Sequence, residues 1–218
     1  MIGIYGGTFN PVHYGHLRTG LEVLELFELQ QLRLIPCRIP AHREQPDVKP
    51  EQRLAMLQLA CVDTPGFYVD RRELDRDGPS YMVDTLRSLQ DEYPDDSLIL
   101  FIGTDAFAGL SRWHEWQQLF DYAHIVVMTR PQHDMPELAE FLQQRLCSDK
   151  KLLSQQYAGL LLFQAVTALD ISATAIRGLI ARGRNPKFLL PDAVIAFIRQ
   201  QQLYLSPRQD SECKQNNS

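Results

Sequence analysis

Met1-Ile2-Gly3-Ile4-Tyr5-Gly6-Gly7-Thr8-Phe9-Asn10-Pro11-Val12-His13-Tyr14-Gly15-His16 opens the chain with a short apolar run, a glycine-bearing turn and the start of a longer amphipathic segment. In that segment Leu17, Leu21 and Leu24 recur at helical spacing. The stretch reads as a strand passing through glycines into a helix. Two glycines let backbone approach a bulky anion, and the exposed N–H groups of such a turn, followed by a helix N-terminus, favour phosphate oxygens by geometry and dipole together. His13 and His16, three apart, fall on one face of the helix's first turn.

Beyond this opening, short apolar runs alternate with longer amphipathic ones, the pattern of a parallel sheet covered by helices. Strands are expected near 1–5, 31–36, 66–70, 97–103, 124–129 and 160–164, and helices near 14–30, 50–62, 80–93, 112–120, 136–146, 173–182 and 191–204. Leu98-Ile99-Leu100-Phe101-Ile102 and Ile125-Val126-Val127-Met128 are apolar on both strand faces, as a sheet buried on each side requires. Pro136 and Pro191 suit first-turn positions, and Gly183 suits the stop of the helix that contains Arg177. The expected fold class is α/β, a Rossmann-like doubly wound parallel sheet with helices on both faces. Residues 1–205 form one domain, and the polar, aperiodic stretch 206–218 is expected to be a flexible C-terminal tail.

The 218 residues are 44% hydrophobic and 22% charged. At this length folding buries roughly 70% of the unfolded surface, so the core needs no metal or disulfide staple. Lys+Arg 22 against Asp+Glu 27 leaves a formal charge of −5, which argues against broad electrostatic binding to nucleic acid or anionic lipid. An anionic ligand has to be met by a local cluster. The start lacks a secretory pattern and no run approaches the roughly 18 apolar residues of a membrane span, so a cytoplasmic location is expected. Cys37, Cys61, Cys147 and Cys213 form no C-x-x-C pair and read as free, mostly buried thiols.

Common signatures fail at the opening. A zinc pair would need H-E-x-x-H, a dinucleotide fingerprint G-x-G-x-x-G is broken by Tyr5, and the run Gly15 to Gly20 is followed by Leu21-Glu22 where a P-loop needs lysine and a hydroxyl. What the stretch does resemble is the G-G-T-F-x-P-x-H-x-G-H opening of the nucleotidyltransferases that share an H-x-G-H motif, itself similar to the motif of class I aminoacyl-tRNA synthetases. Four further segments resemble the bacterial nicotinate-mononucleotide adenylyltransferase family: Ile39-Pro40-Ala41-His42-Arg43, Ser80-Tyr81-Met82-Val83-Asp84-Thr85-Leu86, Phe101-Ile102-Gly103-Thr104-Asp105 with Leu110-Ser111-Arg112-Trp113, and Ile171-Ser172-Ala173-Thr174-Ala175-Ile176-Arg177. Phosphopantetheine adenylyltransferases resemble this chain in the H-x-G-H opening and in an end like Ile171–Arg177, but they are typically shorter and lack the tyrosine and tryptophan segments.

The resemblance implies a nucleotidyltransferase-type sheet and transfer of the adenylyl group of ATP to nicotinate mononucleotide. It implies that Gly6, Gly7, Thr8, Phe9, His13, His16, Gly103, Asp105, Ser172, Thr174 and Arg177 bind ATP, with His16, His13 and Arg177 acting in catalysis and His16 stabilising charge on the α-phosphate. His42, Arg43, Tyr81, Met82, Thr85, Trp113, His114 and Arg130 are implied on the acceptor side. Met82 stands where the family has threonine, leaving only its backbone N–H for the acceptor's carboxylate. Independently of the resemblance, Asp105 just beyond an apolar strand suits ribose hydroxyls or a helix N-cap, and Trp113 or Tyr81 offers a flat face to a cationic pyridine. Trp116 reads as the better core residue. Mg²⁺ is expected to arrive with ATP, held by no dedicated protein cage. Besides ATP and nicotinate mononucleotide, neither nucleic acid nor a membrane is expected as a partner, and a homo-oligomer stays open.

Overall fold

A computed structural model describes residues 1–40, 46, 48–130, 136–167 and 169–205. Its strands are β1 (Ile2–Gly7), β2 (Gln31–Pro36), β3 (Phe67–Val69), β4 (Leu98–Gly103), β5 (His124–Thr129) and β6 (Leu161–Ala165). All pair in parallel, in the order β3-β2-β1-β4-β5-β6. The chain builds outward from β1 to β3, returns to the centre for β4, and then builds the other way. Connections therefore leave β1 and β4 in opposite directions, and a crevice opens at their carboxyl ends.

The helices among the described residues are α1 (Tyr14–Leu26), α2 (Pro50–Cys61), α3 (Arg72–Asp75), α4 (Met82–Glu92), α5 (Thr104–Ala108), α6 (Leu119–Tyr122), α7 (Glu140–Gln143), α8 (Ala173–Ala181) and α9 (Asp192–Gln200). Side chains alternate across a strand, so each central strand feeds two cores. Ile99, Phe101, Val126 and Met128 join Leu32, Leu34 and residues of α1, α2, α8 and α9 on one face. Leu98, Leu100, Ile102, Ile125 and Val127 join Ile2, Ile4 and residues of α4 and α6 on the other. Burying each such side chain contributes about 1.5–3 kcal/mol, which is why the continuous apolar runs sit in the middle of the sheet.

All six expected strands are present, but several helices differ. The expected helix over 112–120 is broken: Leu110–Arg112 and Trp116–Gln118 are separate 3-10 turns, with Trp113 extended (φ −73, ψ 146) and Glu115 left-handed (φ 49) between them. The one over 136–146 shrinks to α7, because the following residues pair with β6 instead: Leu161 donates to the Arg145 carbonyl (2.8 Å) and Cys147 to that of Leu161 (2.9 Å). Pro136 thus precedes the helix, and Pro191 sits at the N-cap of α9, one residue ahead of its first turn. Cys61 is buried, Cys37 and Cys147 are half-buried, and all three are free thiols; Cys213 and the tail 206–218 lie outside the described residues. No helix among those described is long and apolar enough to cross a membrane.

Candidate active site

The turn after β1 delivers its residues to the crevice. His13 is the N-cap of α1, and its backbone N–H donates to Nδ1 of His16 at 3.3 Å. The two rings lie 3.8 Å apart at 30°. Gly15 makes this possible, since a Cβ there would stand 2.9 Å from Nδ1 of His13. Phe9, in left-handed backbone (φ 46), is buried and turns its ring edge-on to His16 at 5.2 Å. Burial pushes the His13 imidazole down to about 4; burial, then the neighbouring His13, pushes His16 down to about 3. Both are neutral at pH 7. Because Nδ1 of His16 accepts a hydrogen bond, its proton resides on Nε2, which remains a donor.

The serine-led helix meets this turn. Ser172 caps α8 by accepting from the Ala175 N–H at 3.2 Å, leaving the first N–H groups of the helix without intrahelical acceptors. Arg177, one turn in, donates to the Asn10 carbonyl at 2.8 Å and to the Thr174 hydroxyl at 3.3 Å. Segments 167 residues apart are thereby joined. Tyr204 adds a second tie to the turn, its hydroxyl donating to Oδ1 of Asn10 at 2.7 Å. Ser172 and Thr174 are exposed and Arg177 half-buried, all at one mouth with two helix N-termini.

At the end of β4, Gly103 is the N-cap of α5 and Asp105 lies in its first turn, so Asp105 is not itself the cap. Asp105 is exposed and, with Gly103, Tyr5, Thr129 and Arg130, lines an open cleft of about 190 Å³. Arg130 pairs with Asp170 at 3.6 Å, beside the start of the α8 segment.

The acceptor-side residues divide. Tyr81 and His114 stack with ring centroids 4.3 Å apart at 31°. Trp113 and Trp116 are both half-buried against the same core, so Trp116 is no more a core residue than Trp113. The Met82 methyl occupies the space a side chain on Gly6 would need, and as the first residue of α4 its N–H lacks an intrahelical acceptor. Thr85 departs from expectation. It has no exposed surface, and its hydroxyl donates to the buried Glu73 at 2.8 Å while accepting from Arg76 at 3.3 Å. It braces the segment that carries Tyr81 and Met82 rather than facing a ligand. Burial pushes the Glu73 carboxyl up, against the hydrogen bonds of Thr85 and Ser80. His42 and Arg43 lie outside the described residues.

Sequence reasoning missed Glu73, Tyr204 and Arg53. Arg53 alone left a signal, a guanidinium at position i of an i, i+3, i+4 set with Met56 and Leu57.

Residues 4–179 match the family described as Cytidylyltransferase-like. A protein of Methylococcus capsulatus is 50% identical over 94% of this chain and 99% of its own length, and one of Halorhodospira halophila 52% identical over 88% and 90%. Each bears the name "Probable nicotinate-nucleotide adenylyltransferase". Among solved structures, the Plasmodium falciparum nicotinic acid mononucleotide adenylyltransferase complexed with NaAD matches with a TM-score of 0.71 at 15% identity, covering 93% of this chain and 96% of that one. That likeness carries the fold, whose order and crevice are those described above. With half its residues shared along nearly the full length, this chain belongs to the nicotinate-nucleotide adenylyltransferase family.

Proposed function

We propose that the protein transfers the adenylyl group of ATP to nicotinate mononucleotide, giving nicotinate adenine dinucleotide and pyrophosphate, a step of NAD biosynthesis. The observation that carries this reading is the junction of Arg177 with the Asn10 carbonyl, which sets two helix N-termini, two imidazoles and a guanidinium around one mouth. An oxygen of the acceptor's phosphate attacks the α-phosphorus, and the bond from that phosphorus to the β-bridging oxygen breaks. The electron pair leaves with pyrophosphate. The nucleophile is already anionic, so no general base is required, and catalysis reduces to alignment and charge stabilisation.

In this reading the Nε2–H of neutral His16 donates to the α-phosphate as charge builds on it. Arg177 and the first N–H groups of α8 take the outer phosphates, Mg²⁺ travels with ATP as part of the substrate, and Asp105 accepts from a ribose hydroxyl. On the acceptor side Trp113 and Tyr81 supply flat faces to the cationic ring, and the free N–H of Met82 faces the carboxylate. The same reading assigns the reaction to the cytoplasm.

The test is pyrophosphate release from MgATP with nicotinate mononucleotide, nicotinamide mononucleotide and phosphopantetheine supplied in turn. Release with the nicotinate acceptor is expected. Release with phosphopantetheine alone, or with none of the three, overturns the reading.

A further inference from the structure

Arg53, on α2, has no exposed surface. Among the described residues no carboxylate lies within ion-pair distance of it. Its acceptors are neutral. One terminal nitrogen donates to the Thr8 carbonyl at 2.8 Å, and the other to the carbonyls of Cys37 at 2.6 Å and Arg38 at 3.2 Å. Nε is buried with no partner. Burying an unneutralised guanidinium is costly, and a methionine of similar reach would fill the same space without that cost. What hydrocarbon cannot do is hold three carbonyls in a fixed fork, one in the turn after β1 and two just past the end of β2.

The held carbonyl has a consequence for the site. In a trans peptide C=O and N–H point in opposite directions, and the Thr8–Phe9 bond is trans. With the Thr8 oxygen drawn inward to Arg53, the Phe9 N–H points away from the core, and it has no hydrogen-bond partner among the described residues. Phe9 itself is in left-handed backbone, a conformation that persists only where neighbours impose it. On its far side Asn10 is fixed twice, through its carbonyl by Arg177 and through its side chain by Tyr204.

We propose that Arg53 is a positioning residue of the triphosphate site: its buried fork sets the Thr8–Phe9 peptide so that the Phe9 N–H is presented to a phosphate oxygen. This rests on the adenylyl-transfer reading for the identity of the anion. Arg53 touches no substrate; it acts through a peptide plane. Lysine keeps the charge but replaces the planar fork, whose two nitrogens serve the two loops separately, with a single ammonium, so the two variants of interest are Arg53→Lys and Arg53→Gln.

The experiment measures inorganic tripolyphosphate affinity in wild type and both variants, together with kcat and KM for MgATP and thermal melting. Both variants should bind tripolyphosphate at least about tenfold more weakly in their folded fraction, the loss of one charge-assisted hydrogen bond. The KM for MgATP should rise in step. Arg53→Lys binding tripolyphosphate as wild type does would overturn the proposal, since charge alone would then suffice. So would a loss of melting temperature with unchanged affinity, the mark of a purely structural role. Where the variants do not fold, wild type decides: with ¹⁵N-phenylalanine labelling, the Phe9 amide should shift on adding tripolyphosphate, and an unmoved resonance refutes the assignment. Wild type that shows the shift yet releases no pyrophosphate with nicotinate mononucleotide supports Arg53 in this role and sinks only the acceptor reading.

Discussion

His13 and His16 are neutral in the fold because burial strips water from their charged forms, more than because of anything they touch. Unfolded imidazoles take up protons below about pH 6.5, whereas the folded ones hold off until about 4 and about 3. Stability present above pH 6.5 is therefore lost as pH falls through that window. Melting curves from pH 7 to pH 4 should show the loss, and His13→Gln should lose less than wild type over the same range; equal losses would contradict the assignment. Neutral His16 is a donor whose bond strengthens as charge builds on the α-phosphate, so His16→Ala should lower kcat by about 10²–10³-fold while the affinity for ATP changes far less. A loss in affinity alone would give it a ground-state role. Both histidines were legible from their spacing. Thr85 was not: its hydroxyl is committed to Glu73, twelve positions earlier on a helix with no pattern of its own in the sequence.

Helix endings show why some elements could be read and others not. α8 and α1 stop in the same way, with a left-handed residue and paired return bonds to the last turn. In α8 the left-handed residue is Gly183 (φ 66), with Gly183 donating to Ile180 and Arg184 to Leu179, and the glycine announces it. In α1 it is Glu28 (φ 49), with Glu28 donating to Glu25 and Leu29 to Leu24. Nothing about a glutamate signals that turn, so the helix reads to residue 30 when it ends at Leu26. Gly183→Ala should cost about 1 kcal/mol, and Glu28→Gly, at an exposed position, should gain up to about 1 kcal/mol. Chemical denaturation measures both; a Glu28→Gly variant that is destabilised would show that the turn does not strain its side chain. The break between Leu110 and Gln118 has the same origin, since Glu115 adopts the left-handed region without a glycine to mark it.

Across the molecule, strands were legible because continuous apolar runs can be satisfied only between two layers of helix, and each central strand does divide its residues between two cores. Sheet order and the meeting of distant segments were not, because no local pattern encodes them. Arg177 reaching Asn10, Tyr204 reaching the same residue and Arg53 holding Thr8 are contacts between parts of the chain that share no periodicity. Motif resemblance supplied the convergence that physical reading of the sequence could not. The α/β order then explains it, since β1 and β4 open the crevice into which the first turn and the α8 segment both project. A crystal structure with a non-hydrolysable ATP analogue tests that convergence directly. The triphosphate should lie between the imidazoles of His13 and His16 on one side and Ser172 and Arg177 on the other, with the ribose toward Asp105. A triphosphate bound clear of either group would contradict the account.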